Sequence, residues 1–115
     1  MPGERSNPER LPRENEIFER QVLICKAFAN PVRLHILDLI AVRPCAASEL
    51  QERLSISKAN LSQHMTVLKS AGVVATRREG KQVFFSLAIP EVKQACHLIR
   101  DVLRAQIRNE RELAV

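Results

Sequence analysis

The sequence has no tyrosine and no tryptophan, and only four phenylalanines. Proteins that read single-stranded nucleic acid stack bases on aromatic side chains, so that mode of binding is disfavoured. Three cysteines without a Cys-x-x-Cys pair do not form a disulfide framework. No apolar run approaches the roughly 20 residues that span a bilayer. The sequence has no glycine-rich phosphate loop, no His-Glu-x-x-His motif and no Ser-His-Asp set, so an enzyme is not expected. Residues Met1 to Arg13 are rich in Pro, Glu and Arg and have no apolar stretch of the kind a signal peptide needs. They are expected to form a disordered arm, 1–13, ahead of a single domain, 14–112, in a cytoplasmic protein. At 115 residues, 45% hydrophobic and 27% charged, the chain has the composition of one soluble globular domain with an aliphatic core.

The charge is unevenly placed. The net charge is +5, from 18 Lys+Arg against 13 Asp+Glu. Residues 53–82 hold Arg53, Lys58, Lys69, Arg77, Arg78 and Lys81 against Glu79 alone, so this segment carries the whole excess. A basic patch on an otherwise neutral body suits a phosphate backbone, and it also suits a solvated face with no partner.

Apolar periodicity sets out the elements. Ile17, Phe18, Val22, Ile24, Cys25 and Phe28 recur at helical spacing from Glu14 until Asn30-Pro31. Asn30 and Pro31 cap and start a second helix that runs to Pro44. A short helix from about Ala46 to Leu54 follows. After the tight connection Leu54 to Ser57, Ser57 caps a fourth helix, Lys58 to Ala71, stopped by Gly72. Val73 to Arg78 and Gln82 to Leu87 then read as strands of a hairpin about Glu79-Gly80-Lys81. A last helix from Pro90 to about Glu110 carries the stripe Val92, Ala95, Cys96, Ile99, Val102, Leu103 and Ile107. The expected fold is mostly α (α+β), in the order α-α-α-α-β-β-α.

Two short helices joined by a four-residue turn, with a hairpin behind them, form a winged helix-turn-helix. Leu61, Met65 and Leu68 face inward on the fourth helix, which leaves Ser57, Lys58, Ala59, Asn60, Ser62, Gln63 and Thr66 on or beside the outer face. Asn and Gln suit bidentate pairing with adenine, and Ala approaches a thymine methyl. Lys69, with Arg77, Arg78 and Lys81 of the wing, suits phosphate or minor-groove contact. His64 lies between the outer and core faces, where it contacts phosphate or buttresses the turn. A protein-interaction module on the same fold is the rival reading, and the basic segment argues against it.

The stretches "KAFANPVRLHILDLI", "SELQERLSISKANLSQHMTVLKSAGVV" and "TRREGKQVFFSL" resemble the ArsR/SmtB family of bacterial winged-helix repressors. The resemblance covers more than half the chain. It implies a homodimer joined through the first and last helices. It also implies a palindromic double-stranded operator and an effector that releases the DNA.

The effector is where the sequence departs from the pattern. One family metal site uses a Cys-x-Cys pair leading into the third helix, where this chain reads Pro44-Cys45-Ala46-Ala47-Ser48. Another uses Asp and His on the last helix, where Glu91, Lys93, Val102 and Ala105 stand. Persulfide-sensing relatives place a cysteine on the second helix, near Asp38 here. Cys25, Cys45 and Cys96 remain as candidate thiol ligands for arsenite, antimonite or a soft metal ion, or as redox sites. Cys45 is expected to be accessible in a loop, and Cys25 and Cys96 to be neighbours if the first and last helices pack together. The alternative is that all three are structural and control comes from another ligand or a partner protein. His35 is expected at the surface, and His97 at the flank of the dimer face.

Overall fold

The computed structural model describes Leu11 and residues 13–113, so nearly all of the expected arm lies outside the described residues. The order is α1 (Glu14–Phe28), α2 (Pro31–Val42), β1 (Cys45–Ala46), α3 (Ala47–Leu54), α4 (Lys58–Ser70), β2 (Val74–Glu79), β3 (Gln82–Leu87) and α5 (Glu91–Leu113). The winged helix-turn-helix is as expected, with one addition. Strand β1 pairs antiparallel with β3, Cys45 opposite Phe85 and Ala46 opposite Phe84, giving a three-stranded sheet in the order β1-β3-β2. Two residues are too few for a strand period to show in a sequence, so the pairing is visible only in three dimensions.

The local signals explain the boundaries. Asn30 Oδ1 accepts from the backbone N–H of Val32 at 2.9 Å and of Arg33 at 3.1 Å, and Pro31 occupies the first turn. Ser57 Oγ accepts from Asn60 N at 3.1 Å. The helix-turn-helix connection bends through Ser55 at φ 53°, the only described non-glycine residue in the left-handed region. Gly72 at φ 76° stops α4. Glu79 pairs with Gln82, so the wing turn is the two residues Gly80-Lys81. Positive φ at Gly80 alone fits a type II′ hairpin.

The core is aliphatic, as expected. Ile36, Leu37, Leu50, Met65 and Leu68 are fully buried at the meeting of α2, α3 and α4, with Val74 and Phe85 from the sheet. The two terminal helices contribute little: Ala27 alone is buried on α1, and only Val92 and Cys96 on α5. Their apolar stripes face outward, with Phe18 58% and Val102 60% exposed, alongside Ile17, Leu23, Ile99 and Leu103. Over 23 residues, about 35 Å of helix, α5 therefore carries an apolar face that the described residues do not cover.

Replacing Asn30 with Ala removes the acceptor for two backbone donors and is expected to cost about 1 kcal/mol of stability. Asn30→Asp keeps the acceptor and should cost less. Urea melts of both variants measure this, and an unchanged midpoint for Asn30→Ala would show that the cap contributes nothing.

Candidate nucleic-acid interface

The outer face of α4 is built by helical geometry. With Leu61, Met65 and Leu68 buried, Ala59, Gln63 and Thr66 form an i, i+4, i+7 stripe on the opposite side. Lys58, Asn60, Ser62 and Lys69 flank it, and all seven are exposed. Two hydroxyls have local work. Ser57 Oγ caps the helix, and Thr66 Oγ1 donates to Ser62 O at 2.9 Å. Gln63 and Asn60 have no side-chain partner among the described residues, so their amides are available in full.

The six bases of the 53–82 segment divide into two groups. Arg53 lies 3.7 Å from Glu49, which also takes Arg43 Nη1 at 3.1 Å. The hydrogen bond from Arg43 is the main cause that holds the Glu49 carboxyl below its usual range. Arg77 pairs with Glu79 at 3.0 Å, and its guanidinium carbon stands 5.4 Å from the centre of the Phe84 ring. Lys58, Lys69, Arg78 and Lys81 make no ion pair among the described residues. The register also separates neighbours that the sequence treats together. Arg77 stands opposite Phe84 and Arg78 opposite Val83, so the two side chains leave opposite faces of the wing. Both remain exposed, with Lys81 at the tip.

Sequence reasoning missed two groups of residues. A groove of about 260 Å³ runs between the start of α3, the start of α4 and the wing, and it is lined by Ser48, Gln51, Lys58 and Lys81. It exists because β1 ties the wing to α3, and a two-residue strand gives no sequence signal. The second group centres on Arg33. Its Nε and Nη2 donate to Ala27 O at 2.8 Å and Lys26 O at 2.9 Å, and its Nη1 lies 3.3 Å from His64 Nδ1. The half-buried His64 thus meets Arg33 of α2 from the inner flank of α4, a contact outside the Leu54–Ser57 turn. His35 and His97 are exposed.

The thiols depart from expectation. Cys45 is not accessible: strand pairing buries it, with its Sγ 3.4 Å from Arg43 O, and burial pushes its thiol up. Cys96 is buried on α5, and burial raises it too. Cys25 is exposed on α1. Among the described residues no group of three His, Cys, Asp or Glu side chains is placed to hold a metal ion. No described helix is long and apolar enough to cross a membrane.

Comparison with known proteins follows the same lines. A family model described as a helix-turn-helix domain matches residues 28–77, from the end of α1 into the wing's first strand. The "Transcriptional activator HlyU" of Vibrio cholerae is 35% identical over 99 residues, 86% of this chain and 92% of that protein. A "Biofilm growth-associated repressor" of Agrobacterium fabrum is 37% identical over 78 residues, 68% of this chain and 67% of its own. Among solved structures, a homodimeric winged helix-turn-helix DNA-binding domain from Mycobacterium bovis, described as a possible ArsR-family regulator, superposes with a TM-score of 0.79 at 26% identity. That match covers 90% of this chain and 95% of the other.

Burial, then the neighbouring Arg33 guanidinium, hold the His64 imidazole below its ordinary value of 6.5. The native state then binds fewer protons than the unfolded state as the pH falls past that value. The stabilisation is full above the ordinary pKa and is lost as pH drops toward the depressed one. Stability should therefore decline as the pH falls through and below the ordinary histidine range, and His64→Gln should flatten part of that slope. Thermal melts across the range test this, and identical slopes would contradict it.

Proposed function

The chain belongs to the ArsR family of winged helix-turn-helix DNA-binding transcriptional regulators, and on that premise we propose that it is a homodimeric, sequence-specific repressor of a palindromic operator. One observation carries the reading. Ala59, Gln63 and Thr66 form an exposed stripe flanked on α4 by Lys58 and Lys69, and these two lysines with the exposed Arg78 and Lys81 of the wing make no ion pair among the described residues. Gln63 and Asn60 read base edges, Ala59 lets the helix approach closely, and the lysines and Arg78 hold phosphates. Ser48 and Gln51 add hydrogen-bonding groups beside Lys58 and Lys81. Arg77, paired with Glu79, contributes less to phosphate attraction than Arg78.

A second copy of the chain covers the outward apolar stripes of α1 and α5. Isologous pairing through them sets two α4 helices against successive major grooves, about 34 Å apart, which accounts for a palindromic site. The sign of regulation depends on where the operator lies relative to the promoter. The two relatives carry opposite signs in their names, and an operator overlapping the promoter gives repression.

For control, the burial of Cys45 and Cys96 favours the reading without cysteine-based sensing. The thiolate is the form that ligates and reacts, and burial holds both groups as thiols. Cys25 alone is exposed. If arsenite, cadmium or persulfide releases the operator complex, and Cys→Ser at 25, 45 or 96 abolishes release, the thiol reading replaces this one.

Gln63→Ala should cost about 1–3 kcal/mol on an inverted-repeat duplex from the protein's own promoter and much less on random duplex. Lys81→Ala should weaken both alike and lower the salt slope by about one. Fluorescence anisotropy across a salt series measures all of these. Equal affinity of the wild-type protein for the inverted repeat and for random DNA would overturn the sequence-specific reading.

A further inference from the structure

A cleft of about 290 Å³ opens between α2, the end of β3 and the first half of α5, on elements other than α4 and the wing tip. Leu37, Ala41 and Val42 of α2, Leu87 of β3 and Val92 of α5 give it apolar walls. Its basic side comes from α5. Lys93, Cys96, His97 and Arg100 follow i, i+3, i+4 and i+7, so one stripe turns all four toward the cleft. The single acid of the lining, Asp38, is already neutralised by an ion pair with Arg100. Lys93 has no ion-pair partner among the described residues.

These features select one class of ligand. Apolar walls need an apolar body, and the volume lies at the small end of the range for ligand sites. The free Lys93 ammonium with His97 one turn away needs an anionic head and repels a cationic one. A neutral alcohol of the same length fills the walls but forgoes the charge-assisted hydrogen bond.

We propose that this cleft binds small monocarboxylic acids, with the carboxylate on Lys93 beside His97 and the hydrocarbon against Leu37, Leu87 and Val92. An occupant touches the dimer helix α5 and two elements of the DNA-reading unit at once, a placement suited to an effector. Binding is independent of the DNA-binding reading and is measured without DNA.

The test uses hexanoate, hexanol and hexylamine as probes of matched length, by calorimetry and by amide shifts in 1H–15N spectra. Hexanoate should bind at least about tenfold more tightly than either of the other two. Its shifts should centre on Ala41, Leu87 and Val92. Lys93→Glu, an exposed substitution, should weaken hexanoate about tenfold without lowering the melting temperature. Ala41→Leu should exclude hexanoate and hexanol alike. Absence of hexanoate binding, equal affinity for the three probes, or indifference to Lys93→Glu overturns the proposal.

Discussion

One guanidinium ties three helices together. Arg33 reaches back from the first turn of α2 to two carbonyls at the end of α1, Ala27 O and Lys26 O, and holds its third edge against His64 of α4. The last carbonyls of a helix have no intrahelical donors and carry the negative end of its dipole. A planar fork reaches both Ala27 O and Lys26 O in a fixed geometry, Lys26 O also accepting from Ala29 N at 3.1 Å, and an ammonium on a flexible stem does not match that geometry. The contact joins a helix whose apolar face looks outward to a helix whose polar face looks outward. This side chain thus helps to hold the orientation of α1 against α4, and the Asn30 cap sets the chain reversal beside it.

The elements with a strong local signal were legible in the sequence. Caps at Asn30 and Ser57, the stop at Gly72, the inward stripe Leu61, Met65 and Leu68, and the glycine turn all stand where spacing and residue type put them. What escaped depends on approach through space. Strand β1 is too short for a period, so Cys45 reads as a loop thiol although pairing with Phe85 buries it. Arg33 and His64 are 31 residues apart, and no local pattern joins them. The separation of Arg77 from Arg78 was latent in strand alternation, but its consequence needed the register that sets one on Phe84 and the other on Val83. The outer face of α4 was readable in full because an amphipathic helix encodes its inside and outside in the same thirteen residues.

The molecule divides its apolar surface in two. Leu50, Met65 and their neighbours close a core that α2, α3, α4 and the sheet complete among themselves. The stripes of α1 and α5 are left over, and scattered exposure does not explain two helical stripes with Phe18 and Leu23 on one and Ile99 and Leu103 on the other half exposed. A surface of this kind makes folding and association concentration-linked, since whatever covers it stabilises the native state by mass action. Lys58, Lys69, Arg78 and Lys81 lie elsewhere, on α4 and the wing, so association through these stripes does not use them.

The two joints between the helices and the reading unit differ in character. The α1 joint is a three-point hydrogen-bonded contact through Arg33, closed by burial of Ala27. The α5 joint rests on Val92 and Cys96, the Asp38–Arg100 pair and a cleft between them. That pair is more than a third exposed on both partners, and ion pairs in such a setting contribute little net stability. Missing packing atoms along a cleft also forgo dispersion contacts. The α2–α5 seam is thus the more adjustable of the two, and it is the one that carries most of the uncovered apolar length. A change of a few degrees there moves a long helix against a fixed reading head. In a symmetric dimer the displacement acts twice, once in each protomer, on the distance between the two α4 helices. On the proposed reading, control of DNA binding requires no movement within the helix-turn-helix itself, only a bias on the seam beside it.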